Sequence, residues 1–355
     1  MYMDTKNLTI KDIAMQLGVS STTVHKVIYN KPGVGEKTKQ RVNSYIQAHN
    51  FQLNRAASAL KRATIQLAYV GLNASESDIL FYREIEEGLV NACEDYKTFN
   101  VELRIYNSEG TVAAQSALLE KLYAEQSETL DGLILISAHE FLISPTVRKF
   151  TKRGIKVVTL VSDARDSGRS AYVCGDSTMA GHVAGEILTK LSIPQNGQIL
   201  LLCGFRAYSN HQLASASFVD FIKHERPDID VIELYQDASD QITEDKIMKY
   251  LHAFPDISAI YCVTARGTHA MCRVIGAQPQ QYKLVGSDVF AELRPYFENR
   301  LLCATVFQNP RNQARRALAS LYHLITLEKP VQEYQYERID VVLRSNFEGY
   351  LSESL

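Results

Sequence analysis

Residues 17–30 read LGVSSTTVHKVIYN, a turn closed by glycine and then a short helix with Val24, Val27 and Ile28 on one side and Ser21, Thr22, His25 and Lys26 on the other. Such a helix either packs into a small bundle or lays its polar side against another molecule, and the flanking residues favour the second. Upstream, TIKDIAMQL spaces Ile10, Ile13, Ala14 and Leu17 at i, i+3, i+4 and i+7, the stripe of an amphipathic helix. Thr9 and Asp12 supply its start, the hydroxyl accepting from free N–H groups and the carboxylate favouring the positive end. Gly18 ends that helix and Ser20 caps the next. KPGVGEKTKQ is a turn-rich break before a third helix with Val42, Tyr45 and Ile46 inward. This order predicts a helix-turn-helix whose second helix enters a DNA major groove. Lys26 is placed to meet guanine O6 and N7, and Ser21 and Thr22 can donate, accept or offer a methyl contact. The remaining polar groups, Ser20, Thr23, His25 and Asn30, are assigned to phosphates and register.

Charge supports this reading. The chain has 355 residues and a net charge of −2, yet residues 1–62 hold ten Lys/Arg against Asp4, Asp12 and Glu36, a surplus of +7, so the rest carries −9. A small basic head on an acidic body is the footprint of a module that meets a polyanion. The length implies two or three domains, and 46% apolar with 22% charged residues is an ordinary globular composition. No apolar run approaches the ~20 residues a membrane helix needs. The polar start MYMDTKNLTIKD lacks the apolar core of an export signal, so the cytoplasm is the expected location. Six scattered cysteines without paired spacing are expected to be buried and reduced.

Residues 8–62, from LTIKDIAMQLGVSS through NRAASALKR, resemble the N-terminal headpiece of the LacI/GalR family of bacterial transcription regulators. The motifs match in order: I-x-D-I-A, then V-S-x-x-T-V-x-x-V-x-N, then K-P-G-V, then N-x-x-A-x-x-L. The resemblance implies a headpiece at 1–50, a linker and hinge helix at 51–63, and an effector-binding and dimerisation domain at 64–355. It also implies that Asn54, Ala57 and Leu60 belong to a hinge that orders on DNA, Leu60 wedging into the minor groove and bending the duplex. Ser58 stands where many members carry Arg.

Beyond residue 64, IQLAYVGL, NVELRIYN, DGLILIS and IKVVTLV read as strands separated by helical stretches near 80–96, 111–126 and 142–153. SAYVCG, GQILLLCG, DVIELYQ, ISAIYCV, YKLVGSD and LLCATVF form a second series. The alternation predicts an α/β body of two parallel sheets covered by helices, with a ligand cleft at the strands' carboxyl ends. The same resemblance extends over this region, to the two-lobed periplasmic-binding-protein-like domain of the family. It implies lobe 1 at about 64–162 and 309–328 and lobe 2 at about 163–308 and 329–345, with crossings near 161–165 and 307–310. QNPRNQARRALASLYHLI would return to lobe 1.

By this resemblance, effector contacts are expected from Ser75, Phe81, Tyr82, Ser137, Asp163, Arg165, Asp176, His211, Arg266, Asp288 and Gln308. Asp288, Gln308 and aromatic faces suit a carbohydrate-like ligand, although Asp176 and Asp288 could equally cap helices. Ala214 replaces a frequent Arg, and Thr264 and Ala265 replace a frequent Asn-Asp pair, which points either to an atypical sugar derivative, anionic if Arg165 or Arg266 faces the cleft, or to a site that has drifted from ligand binding. The expected partners are double-stranded operator DNA, the small-molecule effector and a second copy of the chain, with no membrane. No cofactor or metal is expected. NFEGYLSESL carries no leucine heptad, so a dimer rather than a tetramer is expected. An enzyme is the competing class, but no GxGxxG, P-loop, HExxH or GxSxG stands in the right context. A plain solute-binding protein is the other alternative, and it would have no use for the basic head.

Overall fold

The computed structural model describes residues 9–28, 33–49, 64–72, 79–96, 99–191, 193–276, 282–327 and 330–352. Asn30, the hinge at 51–63 with Asn54, Ala57, Ser58 and Leu60, and Ser75 lie outside the described residues.

The head folds around side chains that the heptad-like spacing brings to one place. Helices α1 (Ile10–Leu17), α2 (Ser21–Ile28) and α3 (Glu36–Ala48) bury Ile13, Ala14, Val24, Val27 and Val42 together. Thr9 and Asp12 form the reciprocal capping box, the Thr9 N–H donating to Asp12 at 2.9 Å and the Asp12 N–H to Thr9 Oγ1 at 3.2 Å. Gly18 closes α1 at φ 62°, a conformation that disfavours a side chain. Arg41 reaches from α3 to donate to the Leu17 carbonyl at 3.0 Å, placing a cation at the negative end of α1.

The body alternates strand and helix. Its first half runs β1 (Ile65–Leu72), α4 (Ile79–Asp95), β2 (Val101–Ser108), α5 (Val112–Gln126), β3 (Gly132–Leu135), α6 (Ser144–Lys152), β4 (Lys156–Leu160) and β5 (Ala171–Gly175). Next come α7 (Ser177–Lys190), β6 (Gln198–Cys203), α8 (Ser209–Glu225), β7 (Asp230–Tyr235), α9 (Asp240–Ala253), β8 (Ile257–Cys262), α10 (Ala265–Ile275), β9 (Lys283–Ser287), α11 (Arg294–Glu298) and β10 (Leu302–Phe307). The chain ends with α12 (Pro310–Thr326), β11 (Tyr334–Glu337), β12 (Asp340–Val342) and α13 (Phe347–Ser352). Two six-stranded sheets result, in the orders β11-β5-β4-β3-β1-β2 and β12-β10-β9-β8-β6-β7. All pairs are parallel except β10 with β12. Buried runs such as GLIL and AYVCG reflect helices on both faces.

The expected lobe boundary is corrected. SAYVCG does not open the second sheet: β5 pairs in parallel with β4, and β11 pairs with β5. Lobe 1 therefore runs to about residue 175 and takes back 310–337, and the first crossing falls at Asp176 rather than 161–165. A strand covered on both faces reads as one apolar run whichever sheet it joins, so pattern alone could not assign β5. All six cysteines are free thiols, four buried and two half-buried.

Helices α7 and α8 approach closely because glycines line the contact. A Cβ on Gly181 would stand 2.3 Å from the Ala214 carbonyl oxygen and 2.8 Å from the Phe218 nitrogen. Gly181→Ala is expected to lower stability to urea by about 1–3 kcal/mol. Gly349→Ala, in a helix position with nothing within 4 Å of the added carbon, serves as the neutral control.

Candidate functional site

On α2 the polar side faces outward. Ser21, Thr22 and His25 are exposed, while Lys26 is half-buried with its ammonium 3.3 Å from where a Cβ on Gly33 would stand. Ser20 and Thr23 hold the helix start: Ser20 Oγ accepts the Thr23 N–H at 3.0 Å and lies 2.8 Å from Thr23 Oγ1. Their hydroxyls are thus committed to the cap that orients the helix.

Between the lobes lies a cavity of about 390 Å³. Phe81 and Tyr82, on the first turns of α4, and His139, after β3, enter it from lobe 1. Phe205, Tyr208, Asn210 and His211 enter it from the segment after β6, and Arg266, Asp288 and Gln308 complete the wall. Asp288 is buried in a left-handed conformation, φ 65°, and accepts from the backbone and side-chain N–H groups of Gln308 at 3.3 Å each. Burial pushes its pKa up to about 7, the Glu84 charge adds to this, and the Gln308 bonds partly offset it. Burial pushes His211 down to about 4, so its ring is neutral.

Arg266 lines the cavity but is not free to meet an anion. Its Nε donates to Asp240 at 2.5 Å, its Nη2 to the Ala238 carbonyl at 2.6 Å, and its guanidinium carbon lies 5.3 Å from the Phe205 ring centre. Thr264 Oγ1 accepts the Gly267 N–H at 2.9 Å to cap α10 and donates to Gln236 at 2.9 Å. Ala214 is buried on the wall, so no cation replaces the frequent Arg there.

Four expected contacts lie outside the cavity wall. Asp163 is buried against Arg169, at 2.5 and 2.7 Å, and also accepts from Thr159 and Ala164, so it fixes the β4–β5 loop. Arg165 is half-exposed and pairs with Glu140. Asp176 caps α7, accepting the Met179 N–H at 3.0 Å. Ser137 is buried and donates to the His139 carbonyl at 2.9 Å. A polar residue after a strand looks the same in sequence whether it secures a loop or meets a ligand. His139, Phe205, Tyr208 and Asn210 were missed for the same reason; the glycine after β6 in CGFRAYSNH was the one available signal, since ligands gather beyond strand carboxyl ends.

A helix-turn-helix head on a two-lobed body with a ligand-sized cleft defines a DNA-binding regulator. Residues 9–54 match Bacterial regulatory proteins, lacI family, residues 70–329 match Periplasmic binding protein domain, and the chain belongs to the LacI family of transcription regulators. It is 26% identical over 331 residues to the HTH-type transcriptional repressor PurR of Pectobacterium carotovorum subsp. carotovorum (strain PC1), covering 90% of this chain and 91% of that protein. It is 38% identical over 89 residues to the maltose regulon regulatory protein MalI of Escherichia coli (strain K12), 25% of each chain. Among solved structures, an ABC transporter solute-binding protein from Burkholderia graminis C4D1M, in complex with D-arabinose, superposes with a TM-score of 0.72 at 19% identity, covering 80% of this chain and 97% of that one. That likeness is one of fold. Members of the regulator family are not enzymes, which disposes of the competing class. No helix among the described residues is long and apolar enough to cross a membrane.

The buried carboxyl of Asp288 gives stability a pH signature. Between about pH 4 and 7 the folded chain holds a proton that the unfolded chain has released, so this contribution is full below pH 4 and is lost as pH rises through 7. Asp288→Asn is expected to remove that loss, raising stability at pH 8 relative to pH 5 by about 2–4 kcal/mol against the wild-type difference. Urea titrations of both proteins at the two pH values check this; identical pH dependence refutes it.

Proposed function

We propose that this chain is a repressor that grips a near-palindromic operator as a homodimer, with its affinity for DNA set by a sugar or sugar derivative held between the lobes. The observation that carries this is the wall of the cleft: both lobes contribute side chains to it, so a ligand there favours one lobe arrangement over another. By linkage, the effector alters DNA affinity only by as much as its own affinity differs between the arrangements. The polar side of α2 supports major-groove reading by exposed Ser21 and Thr22 and half-buried Lys26, with exposed His25 at a phosphate. Ser20 and Thr23 orient the helix, and Asn30, Asn54, Ala57 and Leu60 complete the DNA contacts. In the cleft, Asp288 and Gln308 can pair with ligand hydroxyls while Phe81, Tyr82 and Phe205 stack on its apolar faces. The location consistent with this is the bacterial cytoplasm.

For the dimer we propose the outer edge of lobe 1. There β2 ends the sheet, and Val90, Phe99 and Ile105 are exposed beside its unpaired backbone. An apolar unpaired edge is the kind of surface a second chain covers.

A fluorescence titration with an operator selected from random DNA, repeated with sugars, sugar acids and nucleobases, tests the reading: no preference for any sequence refutes it. Lys26→Ala is expected to cost about 1–3 kcal/mol on that operator and to spare random DNA. Equal losses on both would remove Lys26 from base reading. Ile105→Lys is expected to shift the protein from dimer to monomer in sedimentation; an unchanged dimer places the contact elsewhere.

A further inference from the structure

We propose that His139 and His211, one from each lobe, act as a matched pair of hydrogen-bond donors that restricts the cleft to uncharged ligands bearing acceptor atoms at two places. This rests on the cleft being the effector site and names the chemistry it selects.

His139 Nδ1 accepts the N–H groups of Phe141 at 3.2 Å and Leu142 at 3.4 Å. His211 Nδ1 accepts the Phe205 N–H at 3.1 Å. An imidazole that accepts at Nδ1 is neutral and carries its single proton on Nε2. Both rings line the cavity, and neither Nε2 has a partner among the described residues. Each lobe therefore fixes one tautomer with its own backbone and presents one uncommitted donor. Gly204 permits this on the lobe 2 side, since a Cβ there would stand 2.3 Å from His211 Nδ1.

The remaining polar groups fit an uncharged occupant. Asn210 Oδ1 is buried on the wall without a partner among the described residues, an acceptor for one ligand hydroxyl or N–H. Arg266 is the one Lys or Arg on that wall among the described residues, and its charge is met by Asp240. Asp288 adds an acidic group rather than a counter-charge. A ligand phosphate or carboxylate would be stripped of water without gaining a cation. A ligand that reaches both histidines joins the lobes through its own atoms, so selection and closure are one event.

The test is a ligand-observed NMR screen of the full chain against ring compounds in matched sets: an uncharged member with two acceptors, and the carboxylate or phosphate of the same skeleton. The uncharged members are expected to bind in the cleft, their charged counterparts to bind more weakly by about tenfold or more, and His139→Phe and His211→Phe each to weaken the uncharged hits by about tenfold, as loss of a buried hydrogen bond does. Long-range 15N–1H spectra of the wild-type protein at pH 7 read the tautomers without substitution, and both rings are expected as Nε2–H. Equal or tighter binding of the charged members, either ring charged or in the Nδ1–H form, or hits indifferent to both substitutions would overturn the proposal. If a charged compound binds the cleft and shifts operator affinity, the effector reading stands and this inference alone fails. If uncharged compounds bind there through the histidines without shifting operator affinity, this inference stands and the effector reading fails. A cleft that binds no member of the screen sinks both.

Discussion

Leu80 belongs by sequence to lobe 1 but is buried in the core of lobe 2, in the same cluster as Phe290 and Phe307, while Ile85 and Leu89 of the same helix are buried in lobe 1. The first turn of α4 thus stitches the two cores together, and the arrangement of the cleft depends on that stitch. Parting the lobes would expose Leu80, so the closed arrangement carries an apolar contribution of about 1.5–3 kcal/mol from this side chain alone. The next two residues, Phe81 and Tyr82, line the cavity. Ligand contact and lobe contact are therefore made by consecutive positions on one rigid helix.

Helix α4 is held in turn by α12. Arg311 donates to Glu84 at 2.6 Å and also pairs with Glu87, and the two helices lie close enough that a Cβ on Gly88 would stand 2.7 Å from the Arg311 carbonyl oxygen. Helix α12 begins two residues after Gln308, which bonds to Asp288. Glu84 also raises the proton affinity of Asp288 across the lobe boundary. A single polar chain, from Asp288 through Gln308 and α12 to Glu84, thus joins the wall of the cavity to the helix that stitches the cores. A change in how Asp288 is satisfied, by a proton or by a ligand hydroxyl, acts on groups that span the crossing.

The head was legible because its signals are local: the Thr9–Asp12 box, Gly18 and the spacing of Val24, Val27 and Ile28 each act within a few residues or one helical turn. The strands were legible because burial on both faces leaves continuous apolar runs. Sheet membership was not, since β5 is fixed by its neighbour β4 and by β11 far along the chain. Of the residues expected at the effector site, Phe81, Tyr82, His211, Arg266, Asp288 and Gln308 line the cavity, whereas Asp163, Arg165, Asp176 and Ser137 do not. The difference lies in partners that no local pattern exposes: Arg169 claims Asp163, Glu140 claims Arg165, and the N–H of Met179 claims Asp176. Arg266 shows the converse, a residue that lines the cavity but whose charge is spent on Asp240.

The two binding surfaces pose different electrostatic problems. The head carries its surplus of +7 where a polyanion must be met, and its hold on DNA falls as salt displaces the advantage of releasing counterions. Among the described residues the one arginine on the cleft wall is paired and His211 is neutral, so the proposed uncharged occupant would leave the body's field unchanged at the head. Screening would in any case damp such a field within about 8–10 Å at physiological salt. On the proposed effector reading, what passes from the cleft to the DNA is shape rather than charge: the relative setting of two lobes that the first turn of α4 joins, with Leu80 in the core of lobe 2 and Ile85 and Leu89 in that of lobe 1.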